Sequence, residues 1–155
     1  VSGSVIHGLY GLRELFGMPS RVLNTEIWDG AIVTVLQYPA GHRCVLTWVD
    51  LPNVWDFRET LGVFGDSKRV EVSYTTGFQK GVSTVVVHEV DANGTTVRRE
   101  PAVDWENPFR RELRRFHRCI VEGNSSRSPV ASARDDVALV IDIIRAYVDG
   151  RPIEV

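Results

Sequence analysis

The sequence predicts an α+β fold, in which helices pack on one face of an open, mainly antiparallel β-sheet. Strand-like runs rich in β-branched and aromatic residues follow one another from residue 21 to residue 99. Short turn sequences separate these runs and no helical segment lies between them, so the chain forms consecutive hairpins and not parallel βαβ units. Segments with helical spacing occur only before and after this region.

The first of these segments predicts a short amphipathic helix over residues 8–16. Its apolar side chains recur at helical spacing and share one face: Leu9, Leu12, Leu15 and Phe16. Gly17 and Pro19 follow directly. They predict the end of the helix, because glycine accepts the conformation of a helix terminus and proline cannot continue the helix.

The strand-like runs cover residues 21–28, 31–38, 43–49, 57–64, 69–75, 83–90 and 95–99. Within the run 31–38, both alternating sets of side chains contain large apolar residues, namely Ile32, Leu36 and Tyr38 on one face and Val33 and Val35 on the other. Helices on one side cover only one of these faces. We therefore expect a second subunit or a further domain over part of the other face.

Two helices are predicted to close the chain, and each has a capping residue followed by proline at its start: Asn107-Pro108 and Ser128-Pro129. In the first helix, a narrow apolar stripe is expected to face the core: Phe109, Leu113, Phe116 and Ile120. The last helix carries apolar residues on two sides, one of which includes Val137, Ile141 and Ile144, and the other Leu139 and Ile143. This pattern predicts a helix that is covered on both sides.

Arginines occupy the side of the first closing helix that lies opposite its apolar stripe: Arg110, Arg111, Arg114, Arg115 and Arg118. Such a face can bind phosphate groups or an acidic partner. A solvated face paired with nearby acidic residues is the interpretation we favour, because the chain as a whole is slightly acidic and no aromatic residues alternate with the arginines.

Length and composition narrow the class of protein further. The 155 residues, 43% hydrophobic and 25% charged, predict a single domain over residues 1–155 with its own core. A net charge of −2 gives no general attraction for nucleic acid or a membrane surface, and no apolar run is long enough to cross a bilayer. Cys44 and Cys119 form no disulfide framework, which favours a reducing, cytoplasmic location.

Common motifs for nucleotide, metal and nucleophile chemistry are absent from the sequence. It contains no GxGxxG or GxxxxGK loop, no HExxH pair and no GxSxG turn, so we expect no cofactor and no metal to be bound by this chain alone. The four histidines lie in different predicted elements. His7 stands just before the first helix, and element boundaries often hold catalytic groups, although a lone histidine is more often structural.

Three stretches, taken in order, extend this interpretation: SVIHGLYGLRELFGMPSRV, VLTWVDLPNVWDFRETLGVFGDSKRVEV and SPVASARDDVALVIDIIRAYVDGRPIEV. Together they resemble the C-terminal domain of the glucose–fructose oxidoreductase / inositol dehydrogenase / MocA family of NAD(P)-dependent oxidoreductases. They share with it a histidine followed by a short helix, a tryptophan-bearing strand leading to a glycine turn, and a final helix with a short strand. The resemblance covers essentially the whole chain.

The resemblance implies that this chain is the substrate-facing and oligomerising half of an enzyme. An upstream Rossmann domain of the same polypeptide would bind NAD or NADP, and a sugar, polyol or related hydroxyl compound would be the substrate. The sheet would line the substrate site, with Trp48 as a binding residue, and would form a homo-oligomer such as a dimer. The chain on its own is not expected to be active.

The resemblance also implies a catalytic role for His7, with one departure. The family pairs an aspartate with a histidine four residues later, near the nicotinamide, and His7 matches that histidine. Gly3 stands at the aspartate position, and Gly8 and Tyr10 replace residues that are usually acidic. Two alternatives therefore stay open, namely a stand-alone, non-catalytic binding or dimerisation module and an anion-binding module that uses the arginines.

Overall fold

The computed structural model describes residues 2–54, 57–78 and 80–155. Its elements, in chain order, are α1 (Ser2–Phe16), β1 (Arg21–Trp28), β2 (Ala31–Gln37), β3 (Arg43–Val49), β4 (Arg58–Phe64), β5 (Lys68–Thr75), β6 (Thr84–Val90), β7 (Thr96–Arg99), α2 (Pro108–Glu122), α3 (Val130–Asp149) and β8 (Ile153–Glu154). The α+β class with antiparallel strands is confirmed, because each described pair of neighbouring strands is antiparallel.

The strands divide between two four-stranded sheets, with the orders β3-β2-β1-β8 and β4-β5-β6-β7. The elements also group into two compact units. The first unit contains α1, the sheet β3-β2-β1-β8 and α3, and the second contains the sheet β4-β5-β6-β7 and α2.

The first unit has its core between one face of its sheet and the two helices α1 and α3. Side chains from all these elements meet there with almost no exposed surface: Val5, Leu9, Val22, Ile32, Leu36, Tyr38, Leu139, Ile143 and Ala146. The opposite face of β2, which carries Val33 and Val35, has no helix of this unit on it.

The hairpin between β1 and β2 shows why the strands begin and end where the sequence predicts. Gly30 adopts φ +71°, a left-handed conformation that strains other residues, and it closes the turn after Asp29. The carbonyl oxygen of Gly30 also accepts a hydrogen bond of 2.6 Å from the backbone N–H of Asp50, just beyond the end of β3. This turn therefore ties three strands together at one end of the sheet.

The last helix buries the narrower of its two apolar sides. Leu139, Ile143 and Ala146 of α3 face the sheet, whereas the side chains on the other side remain partly exposed: Val137 at 50%, Ile141 at 47%, Ile144 at 40% and Val148 at 73%. The predicted cap by Ser128 is wrong at this end, because Pro129 occupies the N-cap position and no side chain caps the helix.

Helix α2 of the second unit has the predicted boundaries but not the predicted burial. The Asn107 side-chain oxygen accepts a hydrogen bond of 3.1 Å from the Arg110 backbone N–H, and Gly123 ends the helix in the left-handed conformation. The four residues of the apolar stripe are each 45–69% exposed. The prediction that this stripe faces the core is therefore wrong within the described unit. At the start of the stripe, the ring of Phe109 lies 5.2 Å from that of Phe78, in the turn after β5.

A buried ion pair joins the two helices of the first unit. Arg13 of α1 contacts Asp136 of α3 through two hydrogen bonds, of 2.7 and 3.1 Å, and a third goes from the same guanidinium to the Ser132 hydroxyl. The Arg13 and Asp136 side chains are only 14% and 6% exposed. The hydrogen bond to Asp136 raises the pKa of Arg13. The pair therefore holds α1 against α3 at a position where neither charge reaches bulk water freely.

Replacing Asp136 with alanine is expected to lower the free energy of unfolding by about 3 to 5 kcal/mol, because it leaves a buried guanidinium without its counter-charge. Urea unfolding followed by circular dichroism measures this loss. Asp142→Ala is the matched control on the same helix, since Asp142 pairs with the exposed Arg145 and its loss is expected to cost about 1 kcal/mol or less. Equal losses of unfolding free energy in the two variants would contradict the larger contribution expected from the buried pair.

Two tyrosines, Tyr38 in the core and the half-buried Tyr74, predict a loss of stability in alkali. Burial, with a smaller contribution from Cys44, raises the pKa of Tyr38 to about 12, and burial with Glu59 raises that of Tyr74 to about 12. The unfolded chain loses these protons near pH 10, roughly two units earlier. Unfolding therefore becomes easier between about pH 10 and 12, because the unfolded state then binds fewer protons than the folded state.

Chemical denaturation across this pH range, together with the ultraviolet absorbance of the phenolate, tests the prediction. Tyr38→Phe is expected to remove about 2 to 3 kcal/mol of the pH-dependent change, which corresponds to its two-unit shift. An unaltered slope of stability against pH in this variant would show that Tyr38 does not titrate as expected.

Candidate functional site

His7 lies on α1, where its side chain is exposed. The residues on either side of it are fixed against the sheet: Val5 is 5% exposed, and Gly8 packs so closely on β3 that a Cβ at this position would lie 3.5 Å from Leu46 Cδ1. His7 is therefore a solvent-accessible imidazole on a segment that is held in place by packing.

Trp48 lies on β3 and faces the helices. It pairs with Ile32 across the sheet, it is two residues from Leu46 and so on the same face, and it packs against the buried core cluster while staying partly exposed. The fold thus places Trp48 on the sheet face that α1 covers. The two residues that the sequence selects belong to the same side of the same unit.

An apolar cavity of about 310 Å³ opens on this side of the unit. Its walls come from the start of α1, the β1–β2 hairpin and α3, and they include Val5, Trp28 and Ile144. The ring of Trp28 is 52% exposed. Sequence reasoning did not select Trp28. The sequence does contain a signal for Trp28. It is a large aromatic residue directly before the Asp29-Gly30 turn, so it stands at the last position of its strand.

The surroundings of His7 hold no carboxylate one helical turn before it. Gly3 occupies that position within α1, and residues four apart on a helix are neighbours on its surface. No group of three or more His, Cys, Asp or Glu side chains that could hold a metal ion occurs among the described residues. In this part of the chain, His7 can accept or donate a proton, but no neighbouring acid one turn earlier fixes its tautomer or its charge.

The other histidines lie away from His7 in the topology. His42 stacks on the Tyr38 ring with centroids 4.6 Å apart at the other end of α1, where Phe16 also contacts it. His88 stands on β6 of the second unit, opposite Arg69 on one side and Arg98 on the other. Of the two histidines of the first unit, His7 is therefore the one on α1, where it is exposed, whereas His42 packs at the other end of that helix.

A nucleotide cradle of the common kind is a glycine-rich loop that leads from a strand into a helix. Strand β3 is followed by another strand, β4. Strand β7 is followed by α2, and the connection between them, residues 100–107, contains no glycine. The described residues do not fit a nicotinamide nucleotide of this binding mode.

Known proteins share the fold of this chain. No protein-family model and no curated protein sequence matches it. Among solved structures, it resembles the aldose-aldose oxidoreductase of Caulobacter crescentus, with a TM-score of 0.74 and 22% identity over 97% of this chain and 45% of that one. An oxidoreductase from Bacillus cereus matches with a TM-score of 0.75 and 13% identity over 99% of this chain and 51% of that one.

A third solved structure is that of a protein from Desulfitobacterium hafniense for which NADPH-dependent oxidoreductase activity is proposed. It matches with a TM-score of 0.79 and 17% identity over 96% of this chain and 46% of that one. The chain therefore has the fold of one part of these oxidoreductases, and it spans about half of their length. No helix among the described residues is long and apolar enough to cross a membrane.

Proposed function

We propose that this chain is the substrate-facing and oligomerising domain of an NAD(P)-dependent oxidoreductase of the glucose–fructose oxidoreductase / inositol dehydrogenase / MocA type. The observation that carries the proposal is the match of nearly the whole chain to one half of several oxidoreductases. A sugar, polyol or related hydroxyl compound is the proposed substrate, and the aldose-aldose oxidoreductase among the matches supports this class.

The cofactor would be held by a Rossmann domain of the same polypeptide, because the residues described above form no nucleotide cradle. NAD or NADP supplies hydride transfer when bound. The role of this chain would be to place the hydroxyl group of the substrate. The accessible imidazole of His7 would then take the proton of that hydroxyl as a general base.

Trp48 and its surroundings would supply the apolar part of such a site. Sugar rings carry apolar C–H faces as well as hydroxyl groups, and an indole ring offers a flat apolar surface with one N–H donor. The packing of Trp48 against the core cluster holds its ring in place. A site of this kind would orient the substrate ring while His7 acts on one of its hydroxyl groups.

In the full-length protein, His7→Ala is expected to lower kcat/KM by about 10²- to 10⁴-fold, which is the usual contribution of a general base. Nicotinamide absorbance with a panel of aldoses and polyols measures the rate. His88→Ala, on the other unit, is the matched control and keeps the parent rate. A parent-like rate in His7→Ala would remove the catalytic role.

A second variant separates catalysis from structure. Gly3→Asp places a carboxylate one helical turn before His7, where it stabilises the protonated imidazole. The acid limb of the pH profile of kcat/KM is then expected to move to higher pH. An acid limb at the same pH as in the parent protein would show that His7 is not the base.

The uncovered face of the first sheet is the proposed oligomer interface. Val45 pairs with Val35 on this face, and Val45 and Val49 are 64% and 50% exposed. Large exposed apolar patches of this kind commonly mark contacts between subunits. A second copy of the same sheet would bury them.

Val45→Glu is expected to convert the oligomer to monomers, because it places a charge in the proposed apolar contact. Sedimentation velocity measures the mass, and Val130→Glu is the control, since Val130 is 88% exposed at the start of α3. A mass that does not change in Val45→Glu would exclude this face as the interface.

The absence of a carboxylate at position 3 supports one alternative, a non-catalytic binding or dimerisation module. This module would keep the sheet contact and use no cofactor. The same experiments distinguish the two functions, because the module predicts the effect of Val45→Glu on mass but no nicotinamide-dependent rate for any variant.

A further inference from the structure

A polar pocket lies at the end of α2 in the second unit. It has a volume of about 360 Å³ and is lined by Arg115, Arg118, Cys119, Asn124 and Ser125. Unlike the cavity beside Trp28, its walls are dominated by groups that donate hydrogen bonds.

The local chain path builds this pocket. Arg115, Arg118 and Cys119 are three and four residues apart on α2 and so share one side of the helix. Gly123 then turns the chain in the left-handed conformation, and the following residues return over that side, where the Ser125 carbonyl oxygen accepts a 3.7 Å contact from Cys119 Sγ. The pocket is the space between the returning chain and the two arginines.

Its charge is positive and not neutralised by ion pairs. Helix α2 carries five arginines against two glutamates. Within the described chain Arg114 pairs with Glu106 at 3.0 Å, whereas neither Arg115 nor Arg118 has an ion pair there. In the described part of the chain, the expected pairing with nearby acids therefore occurs at Arg114 but not at Arg115 or Arg118.

One carboxylate lies near the pocket, and its position matters. Glu122 accepts a hydrogen bond of 2.7 Å from the Asn124 side-chain N–H. That bond leaves the second N–H of the Asn124 amide and the Ser125 hydroxyl as further donors beside the two guanidinium groups. Two planar guanidinium groups with two neutral donors match a tetrahedral oxyanion, which accepts several hydrogen bonds at once.

We propose that this pocket binds a phosphate group, either as free phosphate or as the phosphate of a small metabolite. Arg115 and Arg118 bind its oxygens as charged donors, and Asn124 and Ser125 contact the remaining ones. The site shares no residue with the proposed substrate site and does not depend on nicotinamide chemistry.

Calorimetric titration of the full-length protein with inorganic phosphate tests the site. One saturable event per chain is expected. The double variant Arg115→Ala with Arg118→Ala is expected to weaken it at least about tenfold, because each lost charge-assisted hydrogen bond accounts for roughly a tenfold change. Arg110→Ala, on the same helix but outside the pocket, is the matched control and keeps the parent affinity.

The same titration with a sugar monophosphate and with its unphosphorylated sugar separates the two sources. If the sugar phosphate binds more tightly than inorganic phosphate, the ligand of the pocket is a phosphorylated metabolite. If the two bind equally, the ligand is free phosphate. No saturable binding of either one, or equal weakening in Arg110→Ala and in the double variant, overturns the proposal.

The reactivity of Cys119 gives a second, local readout. Cys119 lines the pocket, so bound phosphate is expected to slow its alkylation by iodoacetamide several-fold, as followed by mass spectrometry of its peptide. Cys44 of the first unit is the internal control, and its rate is expected to stay the same. Protection that persists in the Arg115 and Arg118 double variant, or that is equal at both cysteines, also overturns the proposal.

Discussion

The first unit depends on one charged contact that crosses between its two helices. Arg13 and Asp136 form a nearly buried pair with two hydrogen bonds, and the apolar core lies beside it between the helices and the sheet. Two charges in such a place tolerate little movement, because each would lose its partner without gaining water. The pair therefore selects one alignment of α1 on α3 among those that apolar packing alone would permit.

That alignment determines what α1 presents to solvent. Val5 and Leu9 point into the core and Gly8 allows the helix to approach Leu46 closely, whereas His7, two residues from both Val5 and Leu9, lies on the exposed side of α1. The proposed acid–base group is thus held by neighbours that have no chemistry of their own. Trp48 and α1 lie on the same side of the sheet, because the register of β2 and β3 turns Trp48 toward the helices.

The sequence predicted the strands well because turn chemistry marks their ends. The bounds of β1 and β3 agree with the prediction, and Gly30 has the positive φ that its turn position requires. The start of α1 was not predicted at Ser2, although Val5 continues the helical spacing of Leu9 and Leu12 toward the start of the chain and is buried with them. The burial of α2 was predicted wrongly, because an apolar stripe shows that a helix can be covered but does not show by what.

The same limit applies to the candidate site. A single sequence indicates His7 by its position, but it cannot show that Trp48 shares its side of the sheet, because this depends on strand register and on which face the helices occupy. The sequence shows the arginines at 115 and 118 and the turn after Trp28, but not the cavities that these residues line. Both cavities arise where segments of the chain meet, and no local pattern records such a meeting.

The unequal burial in the two units has a consequence for how the chain can change over evolutionary time. Buried side chains belong to the first unit, whereas none of the described side chains of β4–β7 and α2 is buried. Substitutions in a close-packed core alter volume and are rarely neutral, but those on partly exposed strands usually are. Lineages that carry this fold should therefore diverge faster in the second unit, so that new binding specificities arise there while the first unit keeps its residues.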